Sequence, residues 1–226
     1  MREIVWAIVG GLFGIGASRR ARNVIIDAQS SGAAWFHGLV HRSPAFVPVS
    51  VFLGAIAAWS MAHTFTGEAA TFAFVVFTTN LLQQLLVDVD THLLPRGRSR
   101  GATFFGLLLL GFASLVQSAP ARWWWGILGS FLCWLVFRVM QAVSRGDLGG
   151  GDVTLAVLIG LHLGWVAIGN VAVFVVVTFI LGGLAGLFTL VRRRSLRRHI
   201  AFGPWMVIAA VLTVVWEQQL RGLLGG

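Results

Sequence analysis

Long apolar segments follow one another along almost the whole chain, and they constrain the fold more than any other feature. Several of them reach about 17 residues or more, the length of a membrane-spanning helix. Only 11% of the 226 residues are charged, whereas a soluble domain carries roughly 25%. The mean hydropathy is +0.84. The sequence therefore predicts an all-α integral membrane protein that forms one helical bundle.

Short polar turns divide the apolar segments into eight predicted spans. The longest segment, from Val153 to about Val191, exceeds one crossing, and Gly169-Asn170 is a turn signal that divides it. Residues 18–44 form the longest polar stretch and are predicted to be the first cytoplasmic loop. Residues 1–226 are predicted to form a single membrane-embedded domain. The predicted spans cover residues 4–17, 45–65, 69–87, 101–116, 122–143, 153–168, 171–191 and 202–217.

Arginine supplies all 17 basic residues, and its distribution predicts the orientation of the bundle. With eight spans, only Arg2, Arg122 and Arg221 fall on one side of the membrane, and all other arginines fall on the opposite side. Loops rich in basic residues stay in the cytoplasm, so both termini are expected outside. This role accounts for the net charge of +9 without nucleic acid as a partner. Arginines near the surface are also expected to contact membrane lipids.

Only eight residues are acidic, and four of them lie in two predicted loops. Asp88 and Asp90 follow the third span, whereas Asp147 and Asp152 flank a run of glycines before the sixth. Two spans separate Asp88 from Asp152, which is an even number of crossings. Both side chains are therefore predicted to emerge on the same, cytoplasmic face of the membrane.

Two carboxyl groups that meet at a membrane surface provide the chemistry of an aspartic protease. The ionised group can take a proton from a water molecule, and the neutral group can polarise the scissile carbonyl and protonate the leaving amine. An ionisable group at a membrane boundary is costly, which makes a functional role the first hypothesis. This chemistry uses no metal or other cofactor. Cys133 is the only cysteine, which excludes an internal disulfide and a cysteine-rich metal site.

The glycines before the sixth span form the pattern G-x-G-D with Gly149, Gly151 and Asp152. Glycine allows backbone conformations that other residues avoid, and it lets another segment approach closely. Glycine-rich loops are also common between helices. Asp152 is in addition a candidate N-cap of the sixth helix, a role that is compatible with catalysis.

These two motifs resemble those of the type IV prepilin peptidases. Residues 86–95, which include Asp88 and Pro95, look like the first aspartate motif, and residues 149–153 look like the second. Phe202-Gly203-Pro204 is similar to the C-terminal signature of the family. The resemblance covers nearly all of the chain.

The resemblance implies a catalytic pair, Asp88 and Asp152, supported by Gly149 and Gly151. Asp90, Asp147 and Pro95 would have accessory roles at most. It also implies an integral-membrane aspartic endopeptidase of the prokaryotic cell membrane, with its active site facing the cytoplasm. The implied substrate is a prepilin or pseudopilin, in which a short basic leader precedes an apolar helix.

Three features depart from the family pattern. Thr154 stands where Lys or Arg is usual, and Arg96 stands where Asp or Asn is common. Bifunctional members carry a four-cysteine, zinc-binding segment in the first cytoplasmic loop and methylate the new N-terminus. Residues 24–44 contain no cysteine, so no bound zinc is expected. The segment that accompanies N-methylation in bifunctional members is therefore missing from this loop.

Two other functions remain alternatives. A small transporter would place its site near the midplane of the membrane on broken helices, whereas these aspartates lie at one boundary. A catalytically inactive relative could act as an assembly partner in pilus formation or secretion, and Arg96 and Thr154 keep this alternative open.

Overall fold

The computed structural model describes residues 1–32, 40–91, 94, 96–144, 148–193 and 202–224. In these residues the chain forms eight α-helices and one 3-10 turn, Val40–Arg42, without any strand. The all-α prediction is therefore confirmed. The helices are α1 (Arg2–Ser30), α2 (Phe46–Thr64), α3 (Glu68–Thr91), α4 (Arg96–Val116), α5 (Pro120–Val143), α6 (Gly150–Val166), α7 (Gly169–Arg193) and α8 (Gly203–Leu224).

Six of the eight helices are long and apolar enough to cross a membrane. In the other two, α6 and α8, the apolar stretches are shorter and cover Gly150–Val166 and Gly203–Glu217. With 17 residues, α6 is about 25 Å long, slightly less than the roughly 30 Å of a hydrocarbon core. The chain is thus a multi-pass membrane protein. Its orientation in the membrane stays a prediction.

The first predicted loop is wrong over residues 18–30, because α1 continues to Ser30. Ala17, Ala21 and Ile25 lie on one face at intervals of four residues, and all three are fully buried. Ala21 and Ile25 pack with Phe46 of α2 and with α3. This apolar contact extends the helix beyond its predicted span, into a stretch whose exposed face is polar except for Ile26.

The pairing of α1 with α2 depends on small residues at the contact. A methyl group at Gly10 would collide with the Gly54 carbonyl, and one at Gly14 would collide with the Ser50 carbonyl. Small residues allow helices in membranes to approach closely. The glycines at these two positions of the first span therefore serve close helix packing.

Helices α3 and α6 form the centre of the bundle. In α3, 67% of the apolar stretch is buried, against 22–33% in the other five long helices. The shorter α6 has 13 of its 17 residues buried. Their side chains meet where Phe77 stacks on His162, with ring centroids 4.0 Å apart. Both helices also pack against α4 and α8, whereas α1 and α2 pack against α3, and α5 and α7 pack against α6.

Candidate active site

Asp88 lies in the last turns of α3, inside the bundle. Its side chain is 3% exposed, and the carboxylate oxygen Oδ2 has no hydrogen-bond partner among the described residues. A buried carboxylate oxygen without a donor is costly, and each such group in a native fold calls for an explanation. The prediction that Asp88 belongs to a loop is wrong, because α3 extends to Thr91. The buried contacts of this segment keep it helical.

Asp152 lies in the first turn of α6 and is also buried. Its Oδ2 accepts a hydrogen bond from the backbone N–H of Gly149 at 3.1 Å. Gly149 is the N-cap residue and Asp152 is the third residue of the helix, so the N-cap prediction for Asp152 is wrong. The carboxylate instead reaches back to the cap, which is the arrangement expected for an acid at this position. This hydrogen bond fixes the side chain at the helix start.

Three chain segments converge around the two aspartates. A methyl group at Gly151 would lie 2.5 Å from Cβ and the carbonyl oxygen of Leu94. A methyl group at Gly203, the first residue of α8, would lie 2.6 Å from Oδ2 of Asp88 and 3.1 Å from a methyl carbon of Leu94. Leu94 therefore contacts the backbone of both glycines, between the end of α3 and the start of α6. Only glycine fits at either position without a shift of the neighbouring atoms.

The carboxyl groups of Asp88 and Asp152 are close enough to interact electrostatically. The backbone N–H of Gly203 also interacts with the Asp88 carboxyl. The two acids are 64 positions apart in the sequence and belong to different central helices. Two carboxyl groups in such proximity do not both ionise easily. The arrangement can therefore hold one proton between an acid and a base.

Asp90 is fully buried and has a complete set of hydrogen bonds. Its Oδ1 accepts from the backbone N–H of Val40 at 3.1 Å. Its Oδ2 accepts from the backbone N–H of His41 at 2.8 Å and pairs with Nδ1 of the His41 ring at 2.7 Å. These contacts attach the 3-10 turn to α3 two residues after Asp88. Sequence reasoning missed His41, whose only signal is that a buried acid requires a donor.

The remaining predicted site residues are placed as follows. Gly149 precedes α6, in agreement with the predicted loop, whereas Gly151 lies within the first turn of the helix, where the loop prediction is wrong. Asp147 and Pro95 lie outside the described residues. Among the residues that the structure describes, no three His, Cys, Asp or Glu side chains group in a way that could hold a metal ion.

A lateral groove of about 1040 Å³ lies beside Asp152, between α4, α5 and α6. Arg96 and Thr154, the two positions that depart from the family pattern, both line it. The guanidinium of Arg96 lies against the backbone of Gly150. We call this feature the α4–α5–α6 groove. Its lining residues are Arg96, Arg100, Thr103, Phe104, Leu107, Trp134, Arg138, Gln141, Ala142, Gly150, Val153, Thr154 and Val157.

The chain is similar in sequence to several curated bacterial proteins named prepilin leader peptidase/N-methyltransferase. The protein from Bacillus subtilis is 29% identical over 149 residues, which cover 66% of this chain and 57% of the relative. The protein from Pseudomonas aeruginosa is 26% identical over 181 residues, covering 79% and 60%. The protein from Stutzerimonas stutzeri is 25% identical over 150 residues, covering 66% and 50%.

The matched segments span about half to three-fifths of the length of these relatives. No family model matches the chain. No solved structure matches it either. The similarity to the curated relatives extends over most of the chain. Sequence similarity therefore relates this chain to the bacterial prepilin leader peptidases.

Proposed function

We propose that the chain is a membrane aspartic endopeptidase that removes the leader peptide of a prepilin or pseudopilin. The single observation that carries this proposal is the convergence of Asp88 and Asp152, two buried acids from the two central helices. The similarity to proteins named prepilin leader peptidase supports a role in prepilin processing. The aspartic mechanism and the residues that carry it are our inference from the site.

In the proposed reaction, one aspartate is ionised and the other holds a proton. The ionised carboxylate takes a proton from a water molecule, which attacks the carbonyl carbon of the scissile peptide bond. The protonated carboxyl polarises the carbonyl oxygen, and a proton then passes to the leaving amine as the C–N bond breaks. Both carboxyl groups are needed in opposite protonation states, so loss of either one stops the reaction.

We expect one part of the substrate to lie in the cytoplasm and another part to lie in the membrane. We infer that the basic leader lies in the cytoplasm and that the apolar helix after it lies against the bundle in the membrane. Arginine-rich segments at the same end of the bundle as Asp88 support this orientation through the positive-inside rule. We infer that the scissile bond then lies between these two phases, at the ends of the two aspartate-bearing helices.

Cleavage of a co-expressed prepilin-like protein tests the proposal. We expect that Asp88→Asn and Asp152→Asn each leave the leader uncleaved, whereas wild-type protein removes it. Asp27→Asn is a matched control, because Asp27 is an exposed acid on α1, and it should cleave like wild type. An active Asp152→Asn protein would falsify the assignment of the catalytic pair.

We also infer that this chain does not transfer a methyl group to the new N-terminus. The inference rests on the absence of cysteine from residues 24–44, although the names of the relatives include N-methyltransferase. Purified protein would be incubated with substrate and S-adenosylmethionine, and the mature product would be weighed by mass spectrometry. A product heavier by one methyl group contradicts this inference and leaves the peptidase proposal intact.

A further inference from the structure

The α4–α5–α6 groove has three arginines at the end of the bundle that carries the candidate active site. Arg96 and Arg100 lie one turn apart on α4, and Arg138 lines the groove from α5. Nη1 of Arg138 donates to Oε1 of Gln141 at 2.6 Å, and the Gln141 amide donates to the Leu148 carbonyl at 3.1 Å. None of the described lining residues is acidic. The polar end of the groove therefore presents three cations to whatever occupies it.

Two helix N-termini add to this positive potential. Helix α4 begins at Arg96 and α6 begins at Gly150, and both residues line the groove. The N-terminus of a helix carries a partial positive charge and unpaired N–H groups, which favour anions. The Arg96 guanidinium lies against Gly150, so both helix starts and the arginine charge lie side by side. Both the arginine side chains and the two helix N-termini therefore favour an anion at the polar end of the groove.

The other end of the groove is apolar. Phe104 and Leu107 continue the groove along α4, and Trp134 precedes Arg138 by one turn of α5. Phe104 is 60% exposed and Trp134 is 42% exposed, so the groove opens sideways, toward the lipid. The twelve residues from Arg96 to Leu107 span about 16 Å along the helix axis. This length is comparable to one leaflet, roughly half of the 40–45 Å membrane thickness.

We propose that the α4–α5–α6 groove binds an anionic phospholipid. The phosphate would lie among the three arginines and an acyl chain along the apolar end. Guanidinium groups pair with phosphate oxygens through two parallel hydrogen bonds, and basic pockets between membrane helices bind lipid headgroups. The same arginines repel the basic leader of the proposed substrate. The occupant that fits both ends of the groove is therefore a lipid of the surrounding membrane.

Competition between two phospholipids tests the proposal on the full chain. The protein would be equilibrated in detergent micelles with equal amounts of phosphatidylglycerol and phosphatidylcholine, and native mass spectrometry would count the lipids that stay bound. Wild-type protein should retain more phosphatidylglycerol than phosphatidylcholine. Arg100→Gln should lower this preference about tenfold, which corresponds to ~1.4 kcal/mol. Arg98→Gln is the matched control, since Arg98 lies on the same helix with the same charge but does not line the groove.

A second variant adds an acid without removing an arginine. Gln141→Glu places a carboxylate beside Arg138, because Gln141 already accepts a hydrogen bond from it, and should also lower the preference for phosphatidylglycerol. Circular dichroism would verify that each variant keeps its helices. This measurement reads no peptidase activity, so its outcome is independent of the proposed function.

Three results would overturn the lipid proposal. Wild type and Arg100→Gln could show the same lipid ratio. Arg98→Gln could lose as much preference as Arg100→Gln, which would assign the effect to general surface charge. A substrate helix that carries a carboxylate could bind in an Arg100-dependent manner while the lipid ratio stays constant, which would make the groove a peptide site.

Discussion

Asp88 and Asp90 lie two residues apart at the end of α3, and both are buried, but their surroundings differ. Asp90 accepts three hydrogen bonds from Val40 and His41. Asp88 has one carboxylate oxygen without a partner among the described residues and interacts electrostatically with Asp152. Burial alone therefore does not show which of the two acids could act on a substrate. We expect the number of paired carboxylate oxygens to show it, because a fully paired carboxylate is held in place and is unavailable to a substrate.

The largest expected effect separates activity from stability at Asp88. Asp88→Asn keeps the shape of the side chain and removes the ionisable group, so cleavage should fall by about 10²–10⁴-fold. The stability of the bundle should not fall, since the carboxylate oxygen that is replaced had no donor to lose. Leader removal and thermal unfolding in detergent would be measured on the same preparation. The same substitution at Asp90, Asp90→Asn, is the matched control for stability. If the Asp88→Asn protein unfolds more easily than the Asp90→Asn protein, Asp88 is the more important of the two for stability, which contradicts the roles inferred here.

The second expected effect concerns Asp90, where a substitution should lower stability rather than activity. Asp90→Ala leaves two backbone N–H groups and the His41 ring without their acceptor in a buried site, and should destabilise the bundle by about 2–5 kcal/mol. Unfolding by detergent titration, followed by circular dichroism, would measure this loss. Protein that remains folded should still cleave substrate. A stable Asp90→Ala protein without activity would show that Asp90 belongs to the chemistry.

The meeting of two distant acids follows from features that are visible in the sequence. An even number of spans between Asp88 and Asp152 places both at one end of the bundle, and glycine at position 151 allows close contact with Leu94. Apolar segment lengths locate the helices, since long apolar runs have few alternatives in a membrane. The catalytic role of the pair stays a prediction.

Other parts of the site depend on contacts that leave no local signal. His41 lies 49 residues before Asp90 in a polar stretch without periodicity. Residues 18–30 look like a loop because they contain many polar residues, and only packing against α2 and α3 shows why they are helical. Arg96 and Arg138 belong to different helices, and their shared groove follows from how α4 and α5 are arranged around α6.

The third effect tests whether close packing at Leu94 holds the two aspartates together. Gly151→Ala would place a methyl group 2.5 Å from Cβ and the carbonyl oxygen of Leu94, so the backbone must shift, at a cost of about 1–3 kcal/mol. Cleavage should fall more than stability, because the shift separates α6 from the end of α3. Gly101→Ala is the matched control.

Gly101 lies within α4 with open space around the position of an added methyl group. Alanine is favoured over glycine inside a helix by about 0.8–1 kcal/mol, so this control should be slightly more stable and fully active. The pair of variants would be compared by thermal unfolding and by leader removal. Equal activity of Gly151→Ala and Gly101→Ala would show that the contact with Leu94 does not position the acids.

The smallest expected effect concerns His41, and it tests whether Asp90 has a structural role. Two of the three hydrogen bonds to Asp90 come from backbone N–H groups, so His41→Gln removes only the ring contact. The glutamine amide can still donate to Asp90, and the loss of stability should be about 0.5–1.5 kcal/mol, well below that of Asp90→Ala. Cleavage by the folded protein should stay close to wild type. A His41→Gln protein of normal stability that fails to cleave would mean that the Asp90–His41 pair acts in the reaction. In that case, the number of hydrogen bonds to each carboxylate would not separate the proposed catalytic acid from the structural acid.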